Sequence, residues 1–262
     1  MALPFVPPAS LDSSFTISVP TEADLDAMAQ VYYDSFAMDP GNTYWWSPDR
    51  DAMFEWLRWR IRRKMSDRRV RHFQVRDGAG ELVAWARWDI PEGFEARFGD
   101  WAGIDGQAAA AVPRDAAAED DDDTATTAPL EEQVPADAKA METPRGADPE
   151  LCRHFFAMLA TLSKKWEAEG MLGLSLLCTA PKYHRRGAGK ALLTPMLAIA
   201  DAAGLRSYVE ATPAGQVLYE RLGYRAVEVK ELDATAFTGG RVKGVTKLSI
   251  MIREPQPTQE SP

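Results

Sequence analysis

A mixed α/β fold is what this 262-residue sequence predicts, and three observations carry it. Short runs alternate apolar and polar residues, the period of a half-buried strand. Longer runs repeat their apolar residues every three or four positions, the period of a helix packed on one side. The two kinds of run are interleaved along the chain, so helices are expected to cover a sheet.

Residues 1–12 read as a loose tail, after which Phe15, Ile17 and Val19 mark a short strand. A helix opens at Thr21, with Asp24 three residues on as a weaker relative of the capping box, and Leu25, Met28, Ala29, Tyr32 and Phe36 fall on one face. Asp39-Pro40-Gly41-Asn42 breaks it. The next helix is predicted from Ser47 as N-cap, with Pro48 in its first turn, to about Met65. Strands over His72 to Arg76 and Glu81 to Ile90 are joined through Asp77-Gly78-Ala79-Gly80, a hairpin signal. Asp148-Pro149 starts a helix whose stripe is Leu151, Phe155, Met158, Leu159, Leu162 and Trp166. A strand over Met171 to Thr179, a glycine turn and a helix from about Gly187 to Ala203 follow. Pro195 falls inside that helix, at a cost of roughly 3 kcal/mol unless it kinks. Ser207 to Ala211, Tyr224 to Val229 and Val242 to Ile252 are further strands, and Thr212-Pro213 starts a helix that Gly223 caps. Residues 253–262 read as a polar tail.

The net charge of −9 belongs to one segment. Residues 91–148 hold fifteen Asp or Glu against four Arg or Lys, a local charge of −11. The same segment loses all apolar period and contains four consecutive aspartates, Asp120 to Asp123. It is expected to be a disordered acidic insertion, because it cannot bury enough apolar area to offset the entropy of ordering it. No apolar run approaches twenty residues and the N-terminus lacks a secretory pattern, so a cytoplasmic protein without membrane contact is expected. Two cysteines, Cys152 and Cys178, and three scattered histidines do not make a metal set. The basic run Arg58, Arg60, Arg62, Arg63, Lys64, Arg68, Arg69, Arg71 reads as a solvated helix face rather than a nucleic-acid footprint, since no stacking motif accompanies it.

Chemistry concentrates at His184-Arg185-Arg186-Gly187-Ala188-Gly189-Lys190. Two glycines one residue apart let backbone approach a ligand closely, and the N–H groups of a first helical turn have no intrahelical partner. With Arg185, Arg186 and Lys190 adding positive charge, the turn suits a phosphate or pyrophosphate. A P-loop is excluded, because Ala191 follows Lys190 where that motif needs Ser or Thr.

The run Leu177-Cys178-Thr179-Ala180-Pro181-Lys182-Tyr183-His184-Arg185-Arg186-Gly187-Ala188-Gly189, followed by Leu218-Tyr219-Glu220-Arg221-Leu222-Gly223-Tyr224, resembles the GNAT family of acyl-CoA-dependent N-acetyltransferases. The resemblance covers about Met171 to Val229 closely and the flanking element order loosely. It implies one domain over 13–252, with a mostly antiparallel sheet splayed where CoA enters and residues 91–148 inserted in it. Acetyl-CoA is then the cosubstrate and no metal is required. The N–H groups of Arg185, Arg186, Gly187, Ala188, Gly189 and Lys190 would hold the pyrophosphate. Leu177, Cys178 and Thr179 would pair edgewise with pantetheine. His184 departs from the family pattern, which has Gln or Arg there.

By the same resemblance Tyr219 is the acid that protonates the departing thiolate, a role open to a positioned phenol. A backbone N–H near Cys178 would polarise the thioester carbonyl, while the Cys178 thiol itself is expected to be buried and inert. Glu210, on the strand before the Tyr219 helix, is the candidate base, a solvated or cap-pairing glutamate being the alternative. Tyr44, Trp45 and Trp46 lie where the family often lines its acceptor pocket, core packing being the alternative. The expected partner is a small-molecule or peptide amine. A non-catalytic acyl-CoA-binding or protein-interaction module on the same scaffold is the rival reading.

Overall fold

The computed structural model describes residues 2–37, 39, 46–101 and 143–257. Its elements run β1 (Thr16–Ser18), α1 (Leu25–Phe36), α2 (Arg50–Met65), β2 (Val70–Arg76), β3 (Leu82–Asp89), α3 (Pro149–Lys165), β4 (Leu172–Thr179), α4 (Ala188–Ala202), β5 (Ser207–Ala211), α5 (Pro213–Arg221), β6 (Arg225–Asp233), α6 (Ala234–Phe237) and β7 (Val245–Arg253). One sheet holds the strands in the order β1-β2-β3-β4-β5-β7-β6. Every neighbouring pair is antiparallel except β4 with β5. The expected α/β architecture with a mostly antiparallel sheet is therefore present.

The parallel pair is short. Only Leu172, Gly173 and Leu174 are in register with Ser207, Tyr208 and Val209, while β4 continues to Thr179. Just there β4 carries a bulge: Arg87 faces Leu176 and Trp88 faces Leu174, so Ser175 is the extra residue. A bulge bends its strand and changes the phase of side-chain alternation. Before it Gly173 lies opposite Asp89, on the side of α2 and α3; after it Leu177 and Thr179 turn to α4, where both approach Gly189. The two faces of the sheet thereby meet at a gap between β4 and β5.

The helix starts follow local chemistry with one correction. Asp148 caps α3 as expected, accepting from the N–H groups of Glu150 at 3.1 Å and Leu151 at 3.0 Å. For α2 the cap is Asp49, not Ser47: its Oδ1 accepts from Asp51 and Ala52 at 3.0 and 3.1 Å. The Ser47 hydroxyl instead accepts the Asp49 N–H and donates to the Arg145 carbonyl at 2.6 Å. A carboxylate two residues further on outcompetes the hydroxyl, holding two amides at once. Helix α4 runs through Pro195, which is buried; the missing N–H removes the helical donor to the Ala191 carbonyl. Helix α6 had no counterpart in the periodicity, β6 extends to Asp233, and β7 begins at Val245 rather than Val242.

The two ends of the acidic segment are ordered, unlike the expectation for 91–148. Phe98 is fully buried, the Arg71 Nε donates to the Gly99 carbonyl at 2.9 Å, and the Trp101 indole donates to the Met65 carbonyl at 3.2 Å. Tertiary contacts with β2 and α2 supply the burial that composition alone does not reveal. The rest of the segment, 102–142, lies outside the described residues.

Both edges of the sheet are modest. β1 is three residues long, and β6 pairs only with β7, has Val227 as a bulged residue, and bears Arg225, Glu228, Lys230 and Glu231. Inside, Arg253 at the end of β7 makes a bidentate pair with Asp201 of α4 (2.5 and 2.8 Å) and donates to the Leu222 carbonyl after α5 at 2.8 Å. Both side chains are mostly buried, at 7% and 14% exposure. Asp201→Ala strands a buried guanidinium, so urea denaturation should show a loss of about 3–5 kcal/mol. A loss below about 1 kcal/mol would mean that Arg253 finds water there.

Candidate active site

The glycine turn has the backbone geometry of an anion cradle. Arg185 and Gly187 both adopt left-handed backbone, at φ 63° and 85°, with Arg186 between them. Alternating handedness points successive N–H groups into one concavity. Among the described residues none of the six N–H groups from Arg185 to Lys190 has a backbone or side-chain acceptor, and the first bonded amide of the helix is Ala191, to the Gly187 carbonyl at 2.9 Å.

Side chains of the turn divide by task. The His184 ring nitrogen Nε2 lies 2.9 Å from the Thr179 carbonyl, which also accepts from the Ser35 hydroxyl at 2.9 Å, so this ring ties the turn to the end of β4. Arg186 is not free: its guanidinium pairs with Asp12 at 2.7 Å and stacks on Phe15 at 4.5 Å. Arg185 and Lys190 stay exposed. Gly189 fits closely, because a Cβ there would lie 3.5 Å from both the Leu177 and Leu218 side chains. β4, α4 and α5 thus converge on one glycine.

Backbone polarity refines the strand-edge expectation. The Ala180 N–H bonds to the Val83 carbonyl at 2.9 Å, so by alternation Cys178 also faces β3. The N–H groups of Leu177 and Thr179 are those that face the gap. The Cys178 thiol is buried against the Trp85 carbonyl, 3.8 Å away, and burial pushes its pKa well up, which removes thiolate chemistry.

Tyr219 stands on α5 at 7% exposure, in edge contact with Tyr224 at 5.9 Å between centroids. Burial, and to a lesser degree Cys178, raises its pKa, so the phenol keeps its proton at neutral pH. Its position depends on Gly215: a Cβ there would come within 2.9 Å of the Tyr219 ring. One helical turn before the tyrosine only glycine leaves room.

On the opposite face of the sheet from α4 lies a cleft of about 320 Å³, lined among others by Lys64, Asp67, Asp89, Ser175, Tyr208 and Glu210. Glu210 directly follows Val209, the last residue of β5 that pairs with β4, and is itself paired with Ile250 of β7. Burial pushes its pKa up to about 7; a hydrogen bond from the Tyr208 hydroxyl at 2.9 Å works against this, and the Asp89 charge adds to it. A carboxyl that titrates near neutrality inside a cleft is suited to accept a proton. Trp46 is not part of this cleft: it is buried at 8% exposure, packed on Tyr32 and Tyr33. Tyr44 and Trp45 lie outside the described residues.

Sequence reasoning also missed how the basic run is used. Arg58 and Arg62 pair with Asp26 and Glu22 on the surface, as a solvated face would. Arg71, however, is buried on backbone carbonyls, and Arg60 stacks between rings of two helices. Neither position is visible in a linear count of charges. Among the described residues no group of three His, Cys, Asp or Glu side chains could hold a metal ion, and no helix is long and apolar enough to cross a membrane.

The strand order, the splay after Leu174 and the acceptor-less N–H groups of the glycine turn together set a gap in the sheet beside a turn whose geometry suits an anion. Residues 153–226 match the family model described as the acetyltransferase (GNAT) domain. No curated protein matches it. Among solved structures, a histone acetyltransferase HPA2 and related acetyltransferase from Corynebacterium glutamicum is similar at a TM-score of 0.50 and 21% identity, over 94% of this chain and 99% of that one. The ribosomal-protein-S18-alanine N-acetyltransferase from Escherichia coli gives a TM-score of 0.47 at 15% identity, over 95% and 98% of the two chains. A putative acetyltransferase from Salmonella typhimurium, solved with acetyl-CoA, gives 0.44 at 14% identity, over 94% and 97%. At these identities the likeness is one of fold.

Glu210 sets a pH signature of its own. The native carboxyl keeps its proton up to about pH 7, whereas the unfolded chain releases it near 4.5, so this residue costs stability increasingly across that window and fully above it. Glu210→Gln should therefore exceed wild type by up to about 3 kcal/mol at about pH 8 and match it below about pH 4. Denaturation curves at the two pH values check this, and a difference independent of pH would refute it.

Proposed function

We propose that the protein transfers the acetyl group of acetyl-CoA to a primary amine by direct attack, within one domain spanning 13–252. The observation that carries this reading is the row of acceptor-less N–H groups from Arg185 to Lys190, set at the mouth of a gap between two parallel strands. The pyrophosphate of acetyl-CoA suits that row, with Lys190 and Arg185 beside it. Arg186 contributes its N–H and not its guanidinium. Pantetheine would take the free edge of β4 through Leu177 and Thr179, which points the thioester at Tyr219.

Each residue then has a balanced task. Glu210 takes a proton from the acceptor ammonium, directly or through water. The freed amine forms a bond to the thioester carbonyl carbon, whose oxygen the edge N–H groups of β4 stabilise. As the C–S bond breaks, Tyr219 gives its proton to the departing thiolate sulfur, and the second proton that the nitrogen sheds on becoming an amide restores the Tyr219 phenol. The buried Cys178 forms no acyl bond.

Two measurements test the reading. Gly189→Val crowds Leu177 and Leu218, so isothermal titration should show at least tenfold weaker acetyl-CoA binding; no binding by wild type, or equal binding by the variant, would sink the cofactor assignment. Tyr219→Phe should lower turnover by about 10–100-fold with acetyl-CoA affinity within about twofold of wild type. Thiol release with an amine panel gives the turnover. Acetyl-CoA binding with no thiol release from any amine would make the domain a non-catalytic acyl-CoA-binding module.

A further inference from the structure

The floor of the cleft that holds Glu210 has one position where the sheet presents only backbone. Asp89 of β3, Gly173 of β4 and Tyr208 of β5 are paired neighbours across three adjacent strands, and all three line the cleft. A Cβ on Gly173 would stand 3.5 Å from the Asp89 Cβ and 3.9 Å from its Oδ2, so a side chain there would enter the cleft beside Asp89. Glu210 stands two residues beyond Tyr208, about 6.6 Å further along the sheet at roughly 3.3 Å per residue.

Neither the backbone nor the packing asks for glycine at this place. Gly173 is the one glycine within a strand among the described residues, and it is not one of those with positive φ. The extra residue of the bulge is Ser175, two positions on, while Gly173 keeps regular register with both neighbouring strands. The three atoms nearest to its Cβ position, at 3.5 to 3.9 Å, are ordinary contacts, and all belong to Asp89, so alanine would fit. At Gly215, by contrast, a Cβ would fall 2.9 Å from the Tyr219 ring. A glycine inside a strand costs conformational entropy and packs no side chain; where no bulge or bend needs it, it marks a close approach from outside the sheet.

We propose that Gly173 determines which acceptor the cleft takes: an amine with an extended, unbranched chain, its nitrogen at Glu210 and its chain lying over Gly173 towards Asp89. An ethyl chain is too short to cover the step of about 6.6 Å from Glu210 to the row of Gly173. The lining suits a cation, since Asp67, Asp89, Glu169 and Glu210 face only Lys64 and Arg69, and a cleft of about 320 Å³ is of small-molecule size. The fate of the nitrogen rests on the acetyl-transfer reading above, while the seat over Gly173 does not need turnover.

The test uses unbranched primary amines and α,ω-diamines from ethyl to octyl length on wild type, Gly173→Ala and Gly173→Val, with ethylamine as the short reference. Binding is measured by isothermal titration, reaction by thiol release from acetyl-CoA, and the fold by melting temperature. Wild type should bind at least one amine of hexyl length or longer about ten or more times tighter than ethylamine. In Gly173→Val that ratio should fall close to one, with Gly173→Ala between the two, and Gly173→Ala should melt at or above the wild-type temperature. If the ratio falls but no amine releases thiol, acetyl transfer fails and the seat over Gly173 stands. If thiol is released and the ratio is the same in all three proteins, the proposal fails and acetyl transfer stands. No binding of any amine, no preference for length in wild type, or a lower melting temperature in Gly173→Ala likewise overturns it. Should Gly173→Val not fold, the ratio in Gly173→Ala decides alone.

Discussion

The structure turns on where β4 stops pairing with β5. Three registered residues hold the parallel pair, and the extra residue Ser175 then bends β4 away. Had the pairing continued to Thr179, the N–H groups of Leu177 and Thr179 would be spent within the sheet and no strand edge would face a ligand. The same bulge reverses which side chains face α4. It thereby separates a face with the glycine turn from a face with Glu210, with the gap between them.

Holding such a gap open requires support elsewhere, and the chain supplies it at the far ends of the elements. Arg253 fastens β7 to the end of α4 and the end of α5 in one bidentate pair and one carbonyl contact. Gly215 leaves space for the Tyr219 ring, and His184 joins the turn to the end of β4. Arg186 anchors the turn to Asp12 and Phe15 near the N-terminus, so a residue that counts as part of the positive charge in the sequence serves as a structural tie.

What the sequence discloses follows from the range of the interactions concerned. The helices between Leu25 and Arg221 are legible because one-sided burial imposes a period, and β2 and β3, buried on both faces, because the Asp77-Gly78-Ala79-Gly80 turn separates them. The four-residue α6 is too short to show one. Phe98 and Trp101 look unattached in the sequence because their partners, on α2 and β2, are more than twenty residues away. The glycine turn and Tyr219 are local motifs and could be read directly. The environment of Glu210 could not, since it comes first from burial in the cleft, and Asp89, which adds to it, stands on a strand far off in sequence. Arg60 is the sharpest case: a run of eight basic residues gives no sign that one of them turns inward between Trp56 and Phe156.

The sheet's edges carry a consequence for how this molecule meets copies of itself. β1 offers only three residues, and β6 is interrupted at Val227 and charged along its free side. A growing sheet needs a long, flat, neutral strand as its template, and neither border provides one. Edge-to-edge pairing of copies through these borders is therefore disfavoured, and the strand edge left for added backbone is that of β4 at the gap.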